Sequence, residues 1–150
     1  MPDIIIKQLT IKDISLSNSI IIDQLLSLLK QLSSSSSITS QTILDAIQNP
    51  NLTLLVATWD EQIVGTASMI TLACMTGVRV HLEDVVVDSH FRGKGVATLL
   101  VNNIIERAKK IVGAKTLDLT SRPEREAANR LYRNLGFLKR DTNVYRLNLQ

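Results

Sequence analysis

The stretch HLEDVVVDSHFRGKGVATLLVNNIIERAKK, residues 81–110, changes character halfway along. A run of β-branched residues ends at Asp88, Gly93 and Gly95 bracket Lys94, and a helical pattern starts at once. Three consecutive valines suit a sheet interior and resist a helix. Ala97, Leu100, Val101, Ile104, Ala108 and Ile111 then recur on one side of a helix over 96–112, with Gly113 placed to end it. A buried strand joined to an amphipathic helix by a short glycine loop requires a layer of helix packed on sheet.

The rest of the chain fills out those layers. IIIKQL (4–9) reads as a strand, and Ile21, Leu25, Leu28, Leu29 and Leu32 have helical spacing within 17–32. The serine run 33–37 breaks that pattern and is expected to be a loop. Ser40 or Thr39 can cap a helix over 41–48, which Asn49-Pro50 stops. LTLLVATW (52–59) and QIVGTASMITLAC (62–74), separated by Asp60-Glu61, form a hairpin pattern, and VRVHLEDVVVD (78–88) is a third long strand. KTLDLT (115–120) alternates as a strand. Residues 121–135 read as a helix with Ser121 and Glu124 as a capping box, Pro123 in the first turn and Gly136 at the end. GFLKR (136–140) and NVYRLNL (143–149) are expected to be two closing strands. The expectation is a single domain over 1–150, an α/β (α+β) fold with a mixed, mostly antiparallel sheet of six to seven strands flanked by about four helices.

Composition removes several function classes. An apolar share of 45% argues against a disordered chain. No run reaches the roughly 18 apolar residues of a membrane span, and MPDIIIKQLT lacks the features of a signal peptide, so a cytoplasmic location without membrane partners is expected. One cysteine, Cys74, excludes an internal disulfide, and two histidines do not make a metal site, so no metal is expected. Charge is unevenly spread. Residues 1–77 hold three Lys/Arg against six Asp/Glu, a balance of −3, whereas residues 78–150 hold fourteen against eight, a balance of +6. An anionic ligand therefore belongs with the C-terminal half. An aromatic share of 3% and acids interleaved among the bases, as in RPEREAANRLYR, argue against nucleic acid. A compact phosphorylated ligand fits better.

The glycine loop shows where such a ligand would sit. A helix start leaves its first amides unpaired and partly positive, and glycine lets a phosphate approach the backbone. The loop is neither a Walker A motif nor a dinucleotide fingerprint, since Thr98 occupies the third glycine position of GxGxxG. An ordinary flexible corner would carry the same residues.

The surroundings sharpen the reading. Arg92, Gly95 and Ala97 place R-x-x-G-x-A at the helix start, which resembles the acyl-CoA-binding signature [Q/R]-x-x-G-x-[G/A] of the GNAT superfamily of N-acetyltransferases. NRLYRNLGF (129–137) is similar to that superfamily's second block, N-x-x-[FY]-Y-x-x-x-G-F, with Leu131 in an aromatic slot. HLEDVVVD also resembles the strand preceding the pyrophosphate loop of glucosamine-6-phosphate N-acetyltransferases. The resemblance implies acetyl-CoA as co-substrate, with its pyrophosphate on the amides of Arg92, Gly93, Lys94, Gly95, Val96, Ala97 and Thr98. It implies a sheet splayed at its central strands, with the pantetheine arm pairing with the backbone of Val85, Val86 and Val87. A plain buried strand would show the same valines. Arg125, Asn129 and Tyr132 fall at i, i+4 and i+7 on one helical stripe. The resemblance gives Asn129 a hydrogen bond to the cofactor and Tyr132 the proton for the leaving thiolate.

The base stays open among three groups. Period-two alternation puts His81, Glu83, Val85 and Val87 on one face and Leu82, Asp84 and Val86 on the other. Adjacent carboxylates are costly to bury, so at least one is expected to face a cleft. Glu83 ranks first, Asp84 second and His81 third, with water as the remaining acceptor of the proton. The implied reaction is transfer of an acetyl group to a primary amine of a small molecule or peptide by direct attack in a ternary complex. A catalytically silent acyl-CoA sensor on the same fold is the alternative. The acceptor is not legible, and a homodimer is left open.

Overall fold

The structure is a computed structural model that describes residues 3–16 and 19–150, with Leu16 as backbone only. Ser17 and Asn18, the expected start of the helix over 17–32, and Met1 and Pro2 lie outside the described residues. Two compact units follow one another, residues 1–119 and 120–150.

The first unit is built on a five-stranded sheet in the order β1-β2-β3-β4-β5. These strands are β1 (Ile5–Leu9), β2 (Leu52–Trp59), β3 (Gln62–Cys74), β4 (Gly77–Val87) and β5 (Ala114–Asp118). β1 to β4 are antiparallel neighbours, and β5 joins β4 in parallel. The β2–β3 turn falls at Asp60-Glu61 as the sequence suggests. Both residues take left-handed backbone, φ 49° and 65°, which matches the twist of a two-residue hairpin.

Helices cover both faces. α1 (Ile11–Leu16), α2 (Ile20–Leu32) and α3 (Ser40–Gln48) lie on one side. There Ile14, Ile22, Leu25 and Ile43 pack with Leu9 and Val56 in a core cluster. α1 is not evident from the sequence, because six residues are too few to show a period. Thr39 caps α3 through a reciprocal pair with Thr42. α4 (Val96–Ala108) covers the other face with Val96, Leu100, Val101 and Ile104 fully buried. Gly65 makes that approach possible. A β-carbon there would stand 3.1 Å from Leu100 and 3.2 Å from Val96. α4 ends at Ala108, earlier than its apolar spacing predicts, and turns carry the chain to Gly113.

In the second unit, α5 spans Glu126–Asn134, with Arg125 at the N-cap position making no side-chain cap bond. The expected capping box of Ser121 and Glu124 does not form. Pro123 and Glu124 make a turn ahead of the helix, and the Ser121 hydroxyl is buried without a partner among the described residues. The two expected closing strands are also absent, which is why the sheet has five strands. Residues 137–150 contain no helix, strand, turn or bend. Alternating sequence makes a segment fit to be a strand, but only a neighbouring strand makes it one. No described helix is long and apolar enough to cross a membrane.

Candidate active site

β4 changes character at its centre. Its pairing with β3 runs from Cys74–Gly77 to Ser68–Glu83, then resumes at Thr66–Val86. Asp84 and Val85 thus oppose Ala67 alone, which defines a β-bulge. Asp84 sits at φ 51°, in the left-handed region that glycine normally fills at such a bulge.

The bulge corrects the expected faces. Leu82 lies opposite Met69 and Val87 opposite Gly65, on the α4 side. Glu83 lies opposite Ser68 and Val86 opposite Thr66, on the side of α1–α3. The extra residue shifts the alternation by one, so Glu83 and Val87 are on different faces, contrary to a strict period of two.

Both carboxylates keep contact with solvent. Even so, partial burial and the neighbouring Asp84 charge raise the Glu83 carboxyl above its ordinary pKa, and His81 opposes that shift. Partial burial alone raises Asp84. Two adjacent groups that resist ionisation fit a proton acceptor better than a structural ion pair. The Glu83 carbonyl accepts a bond from Ser68 Oγ at 3.2 Å.

The other edge of β4 opens at the same level. Its pairing with β5 ends at His81–Asp118, so Leu82 to Val87 have no neighbour on that edge within the sheet. This is the splay expected at the central strands. Arg92 Nε donates to the Val87 carbonyl at 3.1 Å, so Arg92 reaches back to the strand end.

Past the strand, Asp88 Oδ1 accepts from the His90 amide at 2.9 Å and caps a 3₁₀ turn over Ser89–Phe91. Gln31 of α2 braces the turn from outside, donating to Asp88 Oδ2 at 2.9 Å and accepting from the Ser89 amide at 3.0 Å. Asp88 stays easily ionised, its pKa lowered first by the Gln31 hydrogen bond. Gly93 and Gly95 follow at φ 73° and 80°, with no atom within 4 Å of where a β-carbon would stand. The amides of residues 93–98 donate to no acceptor among the described residues, and the first helical bond runs from the Leu99 amide to the Gly95 carbonyl at 3.1 Å. Lys94 Nζ stands 5.4 Å from the Phe91 ring centre, and that ring packs on Trp59. Open space over free amides at a helix start is what a pyrophosphate requires.

Sequence reasoning missed Gln31 and Asp88. One signal was present. Gln24 and Gln31 are seven residues apart on α2, flanking buried Leu28, and Gln24 Oε1 likewise takes a main-chain amide, that of Ile63, at 3.1 Å. Among the described residues no group of His, Cys, Asp and Glu has the makings of a metal site.

In the second unit, Tyr132 is buried on α5 and meets Phe137 edge-on at 5.8 Å between ring centres. Burial raises its phenol pKa, and the Arg125 charge opposes the rise. Asn129 Nδ2 donates to the Arg122 carbonyl at 2.9 Å and, at 3.4 Å, to that of Pro123. Its amide nitrogen is therefore engaged with the turn before α5, which leaves Oδ1 for any ligand.

A mixed sheet with a bulged, splayed β4 that feeds a bare-amide loop is the arrangement that the sequence resemblance implied. The GNAT acetyltransferase family model matches residues 22–137, and the chain belongs to that family. The match runs across the boundary between the two units. An uncharacterised N-acetyltransferase of Methanocaldococcus jannaschii is 37% identical over 60 residues, covering 40% of this chain and 26% of that protein. The chain thus matches about a quarter of that relative's length. A Trypanosoma brucei acetyltransferase has 25% identity and a TM-score of 0.76, covering 98% of this chain and all of its own. Glucosamine-6-phosphate N-acetyltransferase of Arabidopsis thaliana has the same TM-score at 22% identity, covering 97% of this chain and 98% of its own. It is matched no better than the trypanosomal protein, so the expected likeness to the aminosugar enzymes reduces to a shared fold.

Proposed function

We propose that the protein is an acetyl-CoA-dependent N-acetyltransferase acting on a primary amine of a small molecule or peptide in a ternary complex. The observation that carries this reading is the bare edge of β4 from Leu82 to Val87, which leads directly into the open glycine loop. The amides of Gly93 to Thr98 are assigned the pyrophosphate, with Lys94 adding charge. The main chain of Val85 and Val86 is assigned the pantetheine arm, Val87 having given its carbonyl to Arg92. Oδ1 of Asn129 is assigned a further cofactor contact.

Glu83 is assigned the base, directly or through one water, with Asp84 as second candidate. It takes a proton from the acceptor ammonium. The freed nitrogen attacks the thioester carbonyl, the C–S bond breaks as Tyr132 gives its proton to the departing thiolate, and the second proton lost from the nitrogen restores the phenol. A phenol is protonated at neutral pH and so has a proton to give, and burial raises its pKa further. A reducing compartment such as the cytoplasm fits the exposed, unpaired Cys74.

Incubating the full chain with acetyl-CoA and panels of amines, amino acids, aminosugars, polyamines and peptides, and reading released thiol, tests the proposal. Thiol release that depends on one acceptor class is expected. Tight acetyl-CoA binding without turnover on any class would replace the enzyme with an acyl-CoA sensor.

A further inference from the structure

The glycine loop has little of its own to hold it. Gly93 and Gly95 carry no side chains, and the amides of 93–98 donate to no acceptor among the described residues. After the loop, buried Val96 and Leu100 anchor α4. Before it, the turn over Ser89–Phe91 sets where the loop begins. Two ties from other elements reach that turn. Trp59 of β2 packs on the Phe91 ring at 5.4 Å between centres, an apolar contact that fixes no single direction. Gln31 of α2 makes the directional tie, donating to the Asp88 carboxylate and accepting from the Ser89 amide.

A carboxamide suits this place better than any charged head group. One end of it donates and the other accepts. A carboxylate at 31 could take the Ser89 amide but would face Asp88 with a like charge. An ammonium could pair with Asp88 but would leave the Ser89 amide unmatched. Asp88 is constrained too, because its other oxygen accepts from the His90 amide at 2.9 Å and lies 3.1 Å from the His90 ring nitrogen. Gln31 is exposed, so burial of apolar surface is not what brings it across 57 positions of sequence to Asp88.

We propose that Gln31 is a positioning residue for cofactor binding, which acts through Asp88 and Ser89 to hold the glycine loop in the conformation that receives the pyrophosphate. The inference rests on the reading of that loop as the acetyl-CoA site, and adds to it a residue of α2 that works without touching the ligand. A loop released from Gln31 occupies the receptive conformation for only part of the time, and affinity falls by the same fraction.

Calorimetry of acetyl-CoA binding to the full chain and its variants tests the brace. Gln31→Glu sets a like charge against Asp88. Asp88→Asn leaves two donors facing each other whichever way the two amides turn. Each alone should weaken binding about tenfold, the scale of one or two hydrogen bonds. Combining Gln31→Glu with Asp88→Asn rebuilds the pairing with its polarity reversed. The new carboxamide at 88 donates, and the new carboxylate at 31 accepts from it and from the Ser89 amide. Affinity should then return close to that of wild type. Trp59, the single tryptophan, should follow the same pattern in the ligand-free chain, its emission changing in each single variant and reverting in the double. If a single variant fails to fold, Gln31→Met, which keeps the side-chain length and deletes both bonds, takes its place with the same expected loss. Unchanged affinity in the single variants would overturn the proposal and leave the reading of the loop intact. A double variant weaker than either single would also overturn it, because losses of independent origin add. A wild-type chain that binds no acetyl-CoA would overturn it together with the reading on which it rests.

Discussion

Two left-handed backbone segments lie within a dozen residues of each other, and they are built from opposite residue types. The loop at 93–95 uses glycines in open space, where any side chain would only obstruct an approaching ligand. The bulge in β4 uses Asp84, a residue that pays a conformational cost glycine would avoid. On the proposed function, the loop works through its backbone, which side chains would cover, and the bulge works through a pair of adjacent carboxylates kept despite the strain. An observed outlier of this kind points towards function.

The largest expected effect breaks the loop half of this comparison. Gly95→Val puts a branched side chain where the structure leaves space and asks for left-handed backbone besides. Calorimetry should show acetyl-CoA binding nearly abolished in a protein that still folds, since no protein atom obstructs the new side chain's β-carbon. Lys94→Ala should weaken binding only modestly, because amides and not this ammonium carry the site. Tight binding by the valine variant would place the pyrophosphate elsewhere.

Tyr132 offers the next effect in size. Tyr132→Phe removes one hydroxyl and keeps the contact with Phe137, so kcat should fall by about 10²-fold with acetyl-CoA affinity nearly unchanged. An unchanged kcat would return Tyr132 to a packing role.

The bulge half is tested by paired pH–rate profiles. Glu83 has a raised pKa and acts as base only when ionised, so activity should rise as pH increases through that pKa. Glu83→Gln should lower kcat/KM roughly tenfold, less than the ~10²-fold or more typical of a proton-transfer group because water reaches the site, and should erase the acidic limb. Asp84→Asn should keep the limb, shifted to lower pH because a like charge has been removed from beside Glu83. The reverse pattern would assign the base to Asp84, and intact limbs in both variants would assign it to water.

The comparison also explains what was legible in the sequence. The hairpin at Asp60-Glu61, the handover from β4 to α4 and the open loop are local, so spacing and glycine placement showed them. The bulge at Asp84 was not, because a non-glycine residue carries no mark of positive φ. That one hidden residue reversed the faces inferred for Val86 and Val87. Gln31 and Asp88 meet across 57 positions of sequence, which no local pattern encodes. The tail 143–149 was read as a strand on composition alone, and composition says nothing about which edge is available.

The smallest effect separates backbone strain from charge at Asp84. Asp84→Gly relieves the left-handed backbone at every pH, worth about 1 kcal/mol and so ~3 °C in Tm for a chain of this size. Asp84→Asn keeps a residue that tolerates this conformation and removes only the ionisable group. Because burial raises the Asp84 pKa, the folded state holds its proton more tightly than the unfolded state does. That stabilising preference is complete below the ordinary carboxylate pKa and is lost as pH rises through the raised value, so at neutral pH the ionised group is a net cost. Asp84→Asn should therefore raise Tm at pH 7 and leave it unchanged below about pH 3, where the carboxyl is largely neutral in both the folded and the unfolded chain. Asp84→Gly should raise Tm in both conditions. If the glycine variant melts lower than wild type at both pH values, the Asp84 side chain holds the bulge in place and no strain is stored there.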